Sequence, residues 1–522
     1  MNLPMNLLSW AMLFLLALIV WLRGNTRSMR FTPTFLLMLA SAALFTLPVF
    51  WSPHDGLPVA LPRLLGIWGG VLIYLTLLQC PVCEKEVVAL FYLLTAAALI
   101  ETAISLTGIY FPDALPFPWD TLAHNYHGRA PGVFQQVNVT SSFLATGLAA
   151  ALFLMADRRL RLVHPRAEKG RIIAVVFTIV LLSATLVLFH SRIGWIGGVT
   201  AMICTSLLFG SARFRYRTNR WRRALLVLLP AIGGILGATL LQGSVADSLV
   251  HESSNHQRWL TLDYTLRMIM EHPWRGWGLG MFEPAFQNYM ARLPFANPSR
   301  EMMQHPHNET LFIWAEGGLL ALAGGLSLVA GWIVLFRRRK NLWQWAALLA
   351  TLPILLHTQV EFPLYYSVPH FFALLLLMAV AEDGREVVHF HTTARLWLGA
   401  LSLYGMVLSA QLFSTSVTLG KFETDRLNYP ESIKALNAPW LMQMRFQRDV
   451  SLLHLARFNQ NGDLEELEAF VHENGHWIRL HIEEDAYNDQ INALLFLGRR
   501  SEARVLKQQA HQLMPWDRRF AS

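Results

Sequence analysis

The 522-residue chain reads as an all-α polytopic membrane protein of about twelve transmembrane helices, with a large loop on one side and a soluble helical segment at its C-terminal end. Three observations predict this. The residues are 54% hydrophobic and only 15% charged, with a mean hydropathy of +0.35, far from a soluble globular composition. Apolar runs long enough to cross a hydrocarbon core, which takes about 20 residues of helix, recur from the N-terminus to residue 413. Lys and Arg gather in alternate loops.

The first run, Met5–Leu22, has neither a basic n-region nor a small-residue cleavage site, so it reads as a spanning helix and not a cleaved signal. The runs that follow are Thr32–Phe50, Leu61–Leu78, Val87–Tyr110, Val137–Ala156, Ile172–Phe189, Ile193–Phe209 and Ala224–Leu241. After a long polar interval come Leu311–Phe336, Leu342–Val360, Tyr366–Val380 and Leu396–Phe413. Arg23, Arg27 and Arg30 follow the first span, and Arg158, Arg159, Arg161, Arg166, Lys169 and Arg171 follow the fifth. Arg213, Arg215, Arg217, Arg220, Arg222 and Arg223 follow the seventh, and Arg337, Arg338, Arg339 and Lys340 the ninth. The positive-inside rule puts all four loops in the cytoplasm and both chain termini outside it. The net charge of +8 therefore reflects topology and contact with membrane lipid; the cations do not form a nucleic-acid-binding face.

With sidedness fixed, the non-cytoplasmic material is the loop at 111–136, the turn His190–Ser191–Arg192, the long segment 242–310, the turn Glu361–Tyr365 and everything after Phe413. This divides the chain into a membrane domain, 1–413, that includes the 242–310 segment, and a helical domain, 414–522. Within the long segment, Trp259, Tyr264, Leu266, Met268 and Met270 alternate with polar residues in a helix-compatible pattern and precede a turn at Trp274–Gly278. In the tail, Tyr487, Ala493 and Leu494, a break at Gly498, then Ala503, Leu506 and Ala510 read as one helix–turn–helix of tetratricopeptide type. Of three cysteines, Cys80 and Cys83 read as small apolar residues at a helix end and Cys204 as packing.

Polar chemistry concentrates on the outer side. His305 and His307 flank Pro306 where the long segment re-enters the membrane, with Asn308 placed as a helix N-cap. An imidazole there suits a general base, while two histidines at i and i+2 without a third ligand make a poor metal site. Arg192 sits in a two- or three-residue outer turn, where a cation runs against the positive-inside bias. It is either a snorkelling lipid anchor or a planar donor fork for phosphate. Arg129, Arg258 and Arg275 add outer cations, some of which can pair with Glu252, Asp263 or Glu271. Gln136 and Asn138 open the fifth span; His357 and Glu361, four apart, share a helix face just before Tyr365. Such a pair can be structural or functional. The chain has no Walker loop, dinucleotide fingerprint, His-Glu-x-x-His or Gly-x-Ser-x-Gly motif, so nothing supports nucleotide chemistry, zinc proteolysis or serine hydrolysis.

Taken together, Arg129-x-x-Gly132-x-Phe134-x-Gln136-x-Asn138, Ser191–Arg192-x-Gly194, Arg258, Glu271–His272–Pro273-x-x-Gly276–Trp277–Gly278-x-Gly280-x-Phe282, His305-x-His307–Asn308 and Glu316–Gly317–Gly318 resemble the O-antigen ligase and polymerase superfamily. Within it, His357-x-x-x-Glu361–Phe362–Pro363–Leu364 and the long helical tail resemble the PglL-type protein O-oligosaccharyltransferases. The resemblance implies a multi-pass enzyme of the bacterial inner membrane with its site facing the periplasm. Such an enzyme moves a glycan from undecaprenyl pyrophosphate to an acceptor by one inverting displacement, with no nucleotide, cofactor or obligatory metal. The acceptor is a pilin-like or other periplasmic protein, or lipid A-core in the ligase branch. Carried onto this chain, it makes Arg192 and Arg258 the diphosphate clamp and His307 the acceptor-activating group, with Gln136 orienting the donor. Asn138, Arg129, His305, Glu361 and Tyr365 become donor- or acceptor-binding residues. A lipid-linked glycan transporter is the rival reading; it calls for ionisable residues near the bilayer midplane, where Glu101 is the obvious one in the sequence.

The basic loops make a direct prediction. A reporter active only in the periplasm, fused after Leu293 or after Ser522, is active, and one fused after Arg220 is silent; activity at Arg220 overturns the orientation.

Overall fold

The computed structural model of the chain describes residues 3–521 apart from 24–27, 81, 117–118, 126–130, 158–159, 211–219, 243–251, 294–296, 298–301, 384–385, 390–391, 425–432, 434–435 and 437–438. The protein is all-α and multi-pass, as its composition predicts. Among the described residues, nine helices are long and apolar enough to span a bilayer and three shorter apolar helices accompany them.

In chain order the membrane helices are α1 (Pro4–Arg23), α2 (Pro33–Thr46), α3 (Leu57–Gln79), α4 (Glu84–Tyr110), then, after a short α5 (Trp119–Asn125), α6 (Val137–Ala156), α7 (Pro165–Leu188), α8 (Arg192–Gly210) and α9 (Arg220–Gln242). The long segment forms α10 (Glu252–Glu271) and α11 (Phe282–Ala291), matching the helix and turn expected there. The chain re-enters as α12 (Glu309–Arg338), followed by α13 (Leu342–Ala350), α14 (Leu352–His357), α15 (Pro363–Tyr366), α16 (Val368–Ala381) and α17 (Thr392–Thr424). Cys80 closes α3 and Cys83 opens α4.

Where the structure departs from the hydropathy reading, the causes are local. The span expected at Leu342–Val360 is broken into α13 and α14 at Thr351, because Pro353 has no N–H to continue the ladder. The span expected to stop at Phe413 continues to Thr424, because Leu419 and Phe422 are fully buried and packing overrides the weak helix propensity of the Ser, Thr and Gly residues between. Ser28–Phe31 (β1) and Glu386–His389 (β2) pair antiparallel, Met29 opposite Val388, a short strand pair that no apolar pattern announced.

The centre of the bundle is α6, almost wholly buried and packed on α4, α7 and α8. Its sequence explains this: Ser141, Ser142, Thr146, Gly147 and Ala149–Ala151 are small enough for backbones to approach closely, which replaces the hydrophobic drive that lipid removes.

Helix α12 is not a single rod. At Gly318 the backbone turns to φ 67°, ψ −157°, outside helical space, and the loop after α10 docks into the opening. Trp277 N–H donates to Ala315 O at 2.8 Å, Gly278 N–H to Glu316 O at 2.9 Å, and Leu319 N–H to Trp274 O at 3.1 Å. Inside a membrane protein a broken ladder needs such replacement partners. The glycines of the Trp274–Gly280 and Glu316–Gly318 motifs thus join two backbones and carry no chemistry themselves.

The tail forms two helical hairpins, α18 (Gln443–Asn461) with α19 (Leu464–Trp477) and α20 (Glu484–Phe496) with α21 (Arg500–Leu513); only the second was legible in the sequence. Their core of Leu467, Phe470, Ile482, Tyr487, Leu494 and Phe520 receives Ala291 and Met302 from the long segment. Glu283 on α11 ties the two together, accepting from His481 Nδ1 at 3.0 Å and Ile482 N–H at 2.9 Å.

A Cβ at position 318 would lie 2.3 Å from Trp274 O in a left-handed backbone, whereas one at Gly233 meets nothing within 4 Å. Gly318→Ala is therefore expected to lower the thermal unfolding midpoint of the detergent-solubilised protein, with strain alone costing about 1–3 kcal/mol, while Gly233→Ala leaves it unchanged or slightly raised.

Candidate active site

The candidate residues come from five separate elements that meet at one end of the bundle. Before α6, Gly132 takes φ +61° over the buried Glu101 of α4, whose Oε1 accepts Val133 N–H at 3.0 Å. Any side chain at 132 would collide with that carboxylate, since a Cβ would lie 1.9 Å from Oε1. The turn delivers Gln136 as the residue before α6 and Asn138 in its first turn.

Both amides point at Glu361. Its carboxylate accepts from Gln136 Nε2 at 3.1 Å, Asn138 Nδ2 at 2.6 Å, Arg258 Nη2 at 3.1 Å and His357 Nε2 at 3.2 Å. The i, i+4 contact with His357 expected from the sequence is made, although α14 ends at His357 and a turn carries the chain on. Behind it runs a directed chain of hydrogen bonds. Ser367 Oγ lies 2.8 Å from His370 Nδ1, His370 Nε2 lies 3.0 Å from Val139 O and 3.2 Å from Ser142 Oγ, and Ser142 Oγ lies 2.8 Å from His357 Nδ1. With the hydroxyls donating to Nδ1 in each case, both rings carry their proton on Nε2, an assignment fixed by the network. Burial alone would raise the Glu361 carboxyl, but His357, Arg258 and Asn138 outweigh it and hold it below the ordinary value of 4.5.

Asn138 also accepts from Ser191 Oγ at 2.8 Å. Ser191 Oγ in turn accepts Gly194 N–H at 3.2 Å at the start of α8, so the half-buried Arg192 is anchored one residue from the network. Arg129 lies outside the described residues. Arg275 belongs to the docking loop, where its carbonyl accepts from Trp51 Nε1 at 3.0 Å.

His307 approaches the cluster from α12. Asn308 Oδ1 caps the helix through Leu311 N–H at 2.9 Å, as expected, while its Nδ2 donates to Gln359 O at 3.0 Å and Glu309 N–H donates to Thr358 O at 3.0 Å. These bonds stitch residues 308–309 to the turn that carries Glu361. His307 has φ +55°, and its N–H donates to His305 Nδ1 at 3.0 Å. Its own Nδ1 is buried and has no protein partner, and neither has Gln136 Oε1. Burial, with Arg258 and His305 adding to it and Glu361 opposing, pushes the His307 imidazole down to about 4, so it is neutral at pH 7. Tyr365 does not reach Glu361; its hydroxyl donates to Glu309.

Sequence reasoning missed Ser142 and His370, and assigned no role to Ser191, which it met only as part of the Ser191–Arg192-x-Gly194 motif, or to Glu309. His370 and Arg63 lie inside apolar helices, so Glu101 is not the sole ionisable residue in the spans; a histidine or arginine in such a run was the signal available. Arg63 pairs with Glu316 and stacks 4.6 Å from the Phe312 ring. This pair heads an apolar cavity of about 410 Å³ lined by Ile67, Ile313, Trp332, Leu355 and Phe371, with Glu309 and Tyr365 at the same polar end. Among the described residues no group of three or more His, Cys, Asp or Glu is disposed to hold a metal ion.

Three family models match the chain: O-antigen ligase over residues 177–326, virulence factor membrane-bound polymerase, C-terminal, over 345–522, and protein glycosylation ligase over 130–155. No curated protein matches it. The three matches bear out the resemblance read from the sequence and indicate a membrane glycosyltransferase of the O-antigen ligase and polymerase type. Gln136 and Asn138 fall in the third match, Arg192, Arg258, His305 and His307 in the first, and Glu361 and Tyr365 in the second.

Because the Glu361 carboxyl is depressed, its contribution to stability is present above pH 4.5 and is lost as pH falls through its folded value. Glu361→Gln should therefore unfold more easily at pH 7, by about 1.5–3 kcal/mol for a lost charge-assisted bond. The gap to wild type should close as pH drops below 4.5. A gap independent of pH would mean that the charge is not what holds the cluster.

Proposed function

We propose that the chain is an O-oligosaccharyltransferase of the bacterial inner membrane, moving a glycan from undecaprenyl pyrophosphate to Ser or Thr hydroxyls of a pilin-like or other periplasmic protein. The observation that carries this reading is a neutral, half-buried imidazole, His307, whose buried Nδ1 has no protein partner, beside a guanidinium, Arg258, that is only partly engaged by Glu361. Arg258 keeps 39% of its side chain exposed, leaving other donors of its fork for a substrate anion.

Sidedness follows from helix direction. Helices α6, α8 and α12 each begin at the cluster and run away from it, and the loops beyond their far ends hold the Arg clusters around 158–171, 213–223 and 337–340. Arg158, Arg159, Arg213, Arg215 and Arg217 lie outside the described residues. By the positive-inside rule the cluster faces the periplasm.

The reaction is one displacement. His307 takes the proton from the acceptor hydroxyl, the oxygen attacks the anomeric carbon, and the bond from that carbon to the phosphate oxygen breaks with inversion. Charge developing on the departing diphosphate is stabilised by Arg258 and Arg192, and Gln136 Oε1 is free to accept from a donor sugar hydroxyl. Asn138 and Glu361 hold these donors in place. The apolar cavity beside the cluster suits a stretch of the polyprenyl chain. The residues at the cluster call for no cofactor and no metal in this scheme.

A second reading is supported by the matches to the O-antigen ligase and polymerase families: the same displacement onto a sugar hydroxyl, of lipid A-core or of a growing O-antigen. Co-expression with a lipid-linked glycan pathway separates the two, because the acceptor that gains sugar is protein in the first case and glycolipid or polymer in the second. If no acceptor gains sugar while glycan crosses the membrane, both fail in favour of transport.

His307→Ala should abolish transfer and leave donor binding largely intact, since a base acts on the acceptor and in the transition state. Because the base must be neutral and His307 is lowered to about 4, the acid limb of kcat/KM should lie near pH 4 and not near the ordinary histidine value of 6.5. Donor affinity lost together with turnover would make His307 a diphosphate ligand instead. Full activity would remove it from the mechanism.

A further inference from the structure

We propose that Glu309 is a positioning residue for His307, acting through the tautomer of His305; the inference rests on His307 being the base. Unlike a histidine base backed by a carboxylate on its own ring, His307 has no partner at Nδ1. Its placement is set through the backbone.

That backbone is unusual. His307 is a non-glycine residue at φ +55°, a conformation that needs the surroundings to over-determine it. Its N–H is held by one directional bond, 3.0 Å to His305 Nδ1. An imidazole nitrogen can accept that bond only while it carries no proton, so the His305 proton must sit on Nε2. Nε2 faces Glu309 Oε2 at 3.4 Å, and an ionised carboxylate accepts only. The carboxylate therefore selects the tautomer that the His307 turn requires. The His305 ring cannot evade the choice by rotating, because it is 5% exposed and packed between Phe312 and Phe362, each 4.3 Å away.

Glu309 is itself fixed. Its second oxygen accepts the Tyr365 hydroxyl, and its N–H is bound to Thr358 O at 3.0 Å. The phenol is a dependable donor, because burial and the nearby Glu309 charge raise it well above the ordinary value of 10.0. This gives Tyr365 a place in the same arrangement: it occupies the oxygen that His305 does not use. An acidic residue in the first turn of α12 would also favour the helix dipole. That role would leave the state of the His305 ring untouched, which separates the two by experiment.

The test is Glu309→Gln in the full-length protein reconstituted in lipid. Donor binding and single-turnover glycan transfer are measured together with the ¹⁵N signals of labelled histidine, His305 being assigned by its disappearance in His305→Asn. Gln has a single acceptor oxygen for which Tyr365 competes, and its amide N–H turned to His305 favours the wrong tautomer. The expected result is a drop in transfer of roughly ten- to hundred-fold, donor affinity within about two-fold, and movement of the His305 proton from Nε2 to Nδ1. An Asn at 305 can accept the His307 N–H through its amide oxygen whatever residue stands at 309. In the His305→Asn background, adding Glu309→Gln should therefore cost nothing further. Wild-type transfer in Glu309→Gln, loss of transfer with the proton still on Nε2, or an equal loss in the His305→Asn background would each overturn the proposal. If Glu309→Gln does not fold, the His305→Asn pair still decides. Activity in His307→Ala, with the tautomer shift present, would instead strike the underlying reading of His307 and leave the Glu309–His305 coupling standing.

Discussion

The buried carboxylate of Glu361 is the point on which the arrangement turns. Donors reach it from Gln136 and Asn138 at the start of α6, from Arg258 on α10 and from His357 at the end of α14, so three stretches of chain far apart in sequence are held together at one pair of oxygens. A charge in such a place is expensive unless every oxygen is satisfied. Here it is satisfied by two amides, an imidazole and a guanidinium, the groups to which the proposed reaction gives donor binding and positioning. Asn138 extends the hold to Ser191 and the start of α8, and the bonds from Asn308 and Glu309 to residues 358–359 extend it to α12. Removing the carboxylate would leave two amides, an imidazole and a guanidinium pointing at nothing.

The remainder of the membrane domain solves the complementary problem of placing irregular backbone at the end of a helical bundle. Opened backbone is closed by groups from elsewhere in the chain, a second backbone in one case and a buried side chain in another. The break at Gly318 is filled by the Trp274–Leu279 loop, and the turn at Gly132 is bound by Glu101. Such closures are what allow non-helical segments near lipid. They also explain why much of the motif content that marks the chain lies in glycines and carbonyl partners and not in reactive groups.

How much of this the sequence disclosed follows from what periodicity and side-chain type can report. Spanning helices were legible because lipid imposes long apolar runs, and their boundaries slipped most where Pro353 interrupts a run, where α7 begins at Pro165 ahead of its apolar part and where α17 continues past its own. Gln136, Asn138, Arg258, Glu361, His305 and His307 stood out as polar residues at helix ends, and the structure brings the first three onto the carboxylate of the fourth. What did not show was partnership at long range. Nothing in the run around Val368–Ala381 says that His370 reaches Ser142, 228 residues earlier in the chain, and nothing near Glu309 says that its second oxygen belongs to Tyr365. Hydrogen-bond networks of this kind carry no sequence period, so they appear only when the fold is known. The first tail hairpin, Gln443–Trp477, was missed for a related reason: its pattern is weak, its buried faces being shared with α17 and the second hairpin.

The chemical account stands on a single direct displacement in which a neutral imidazole takes the acceptor proton while the lipid diphosphate departs. The most direct test is the anomeric configuration of the first sugar on the product compared with that in the lipid-linked donor, read by NMR after transfer by the purified protein in liposomes. Inversion is the predicted result. Retention would require a second displacement through a covalent sugar–enzyme intermediate, and would contradict both the role given to His307 and the reading of the cluster around Glu361.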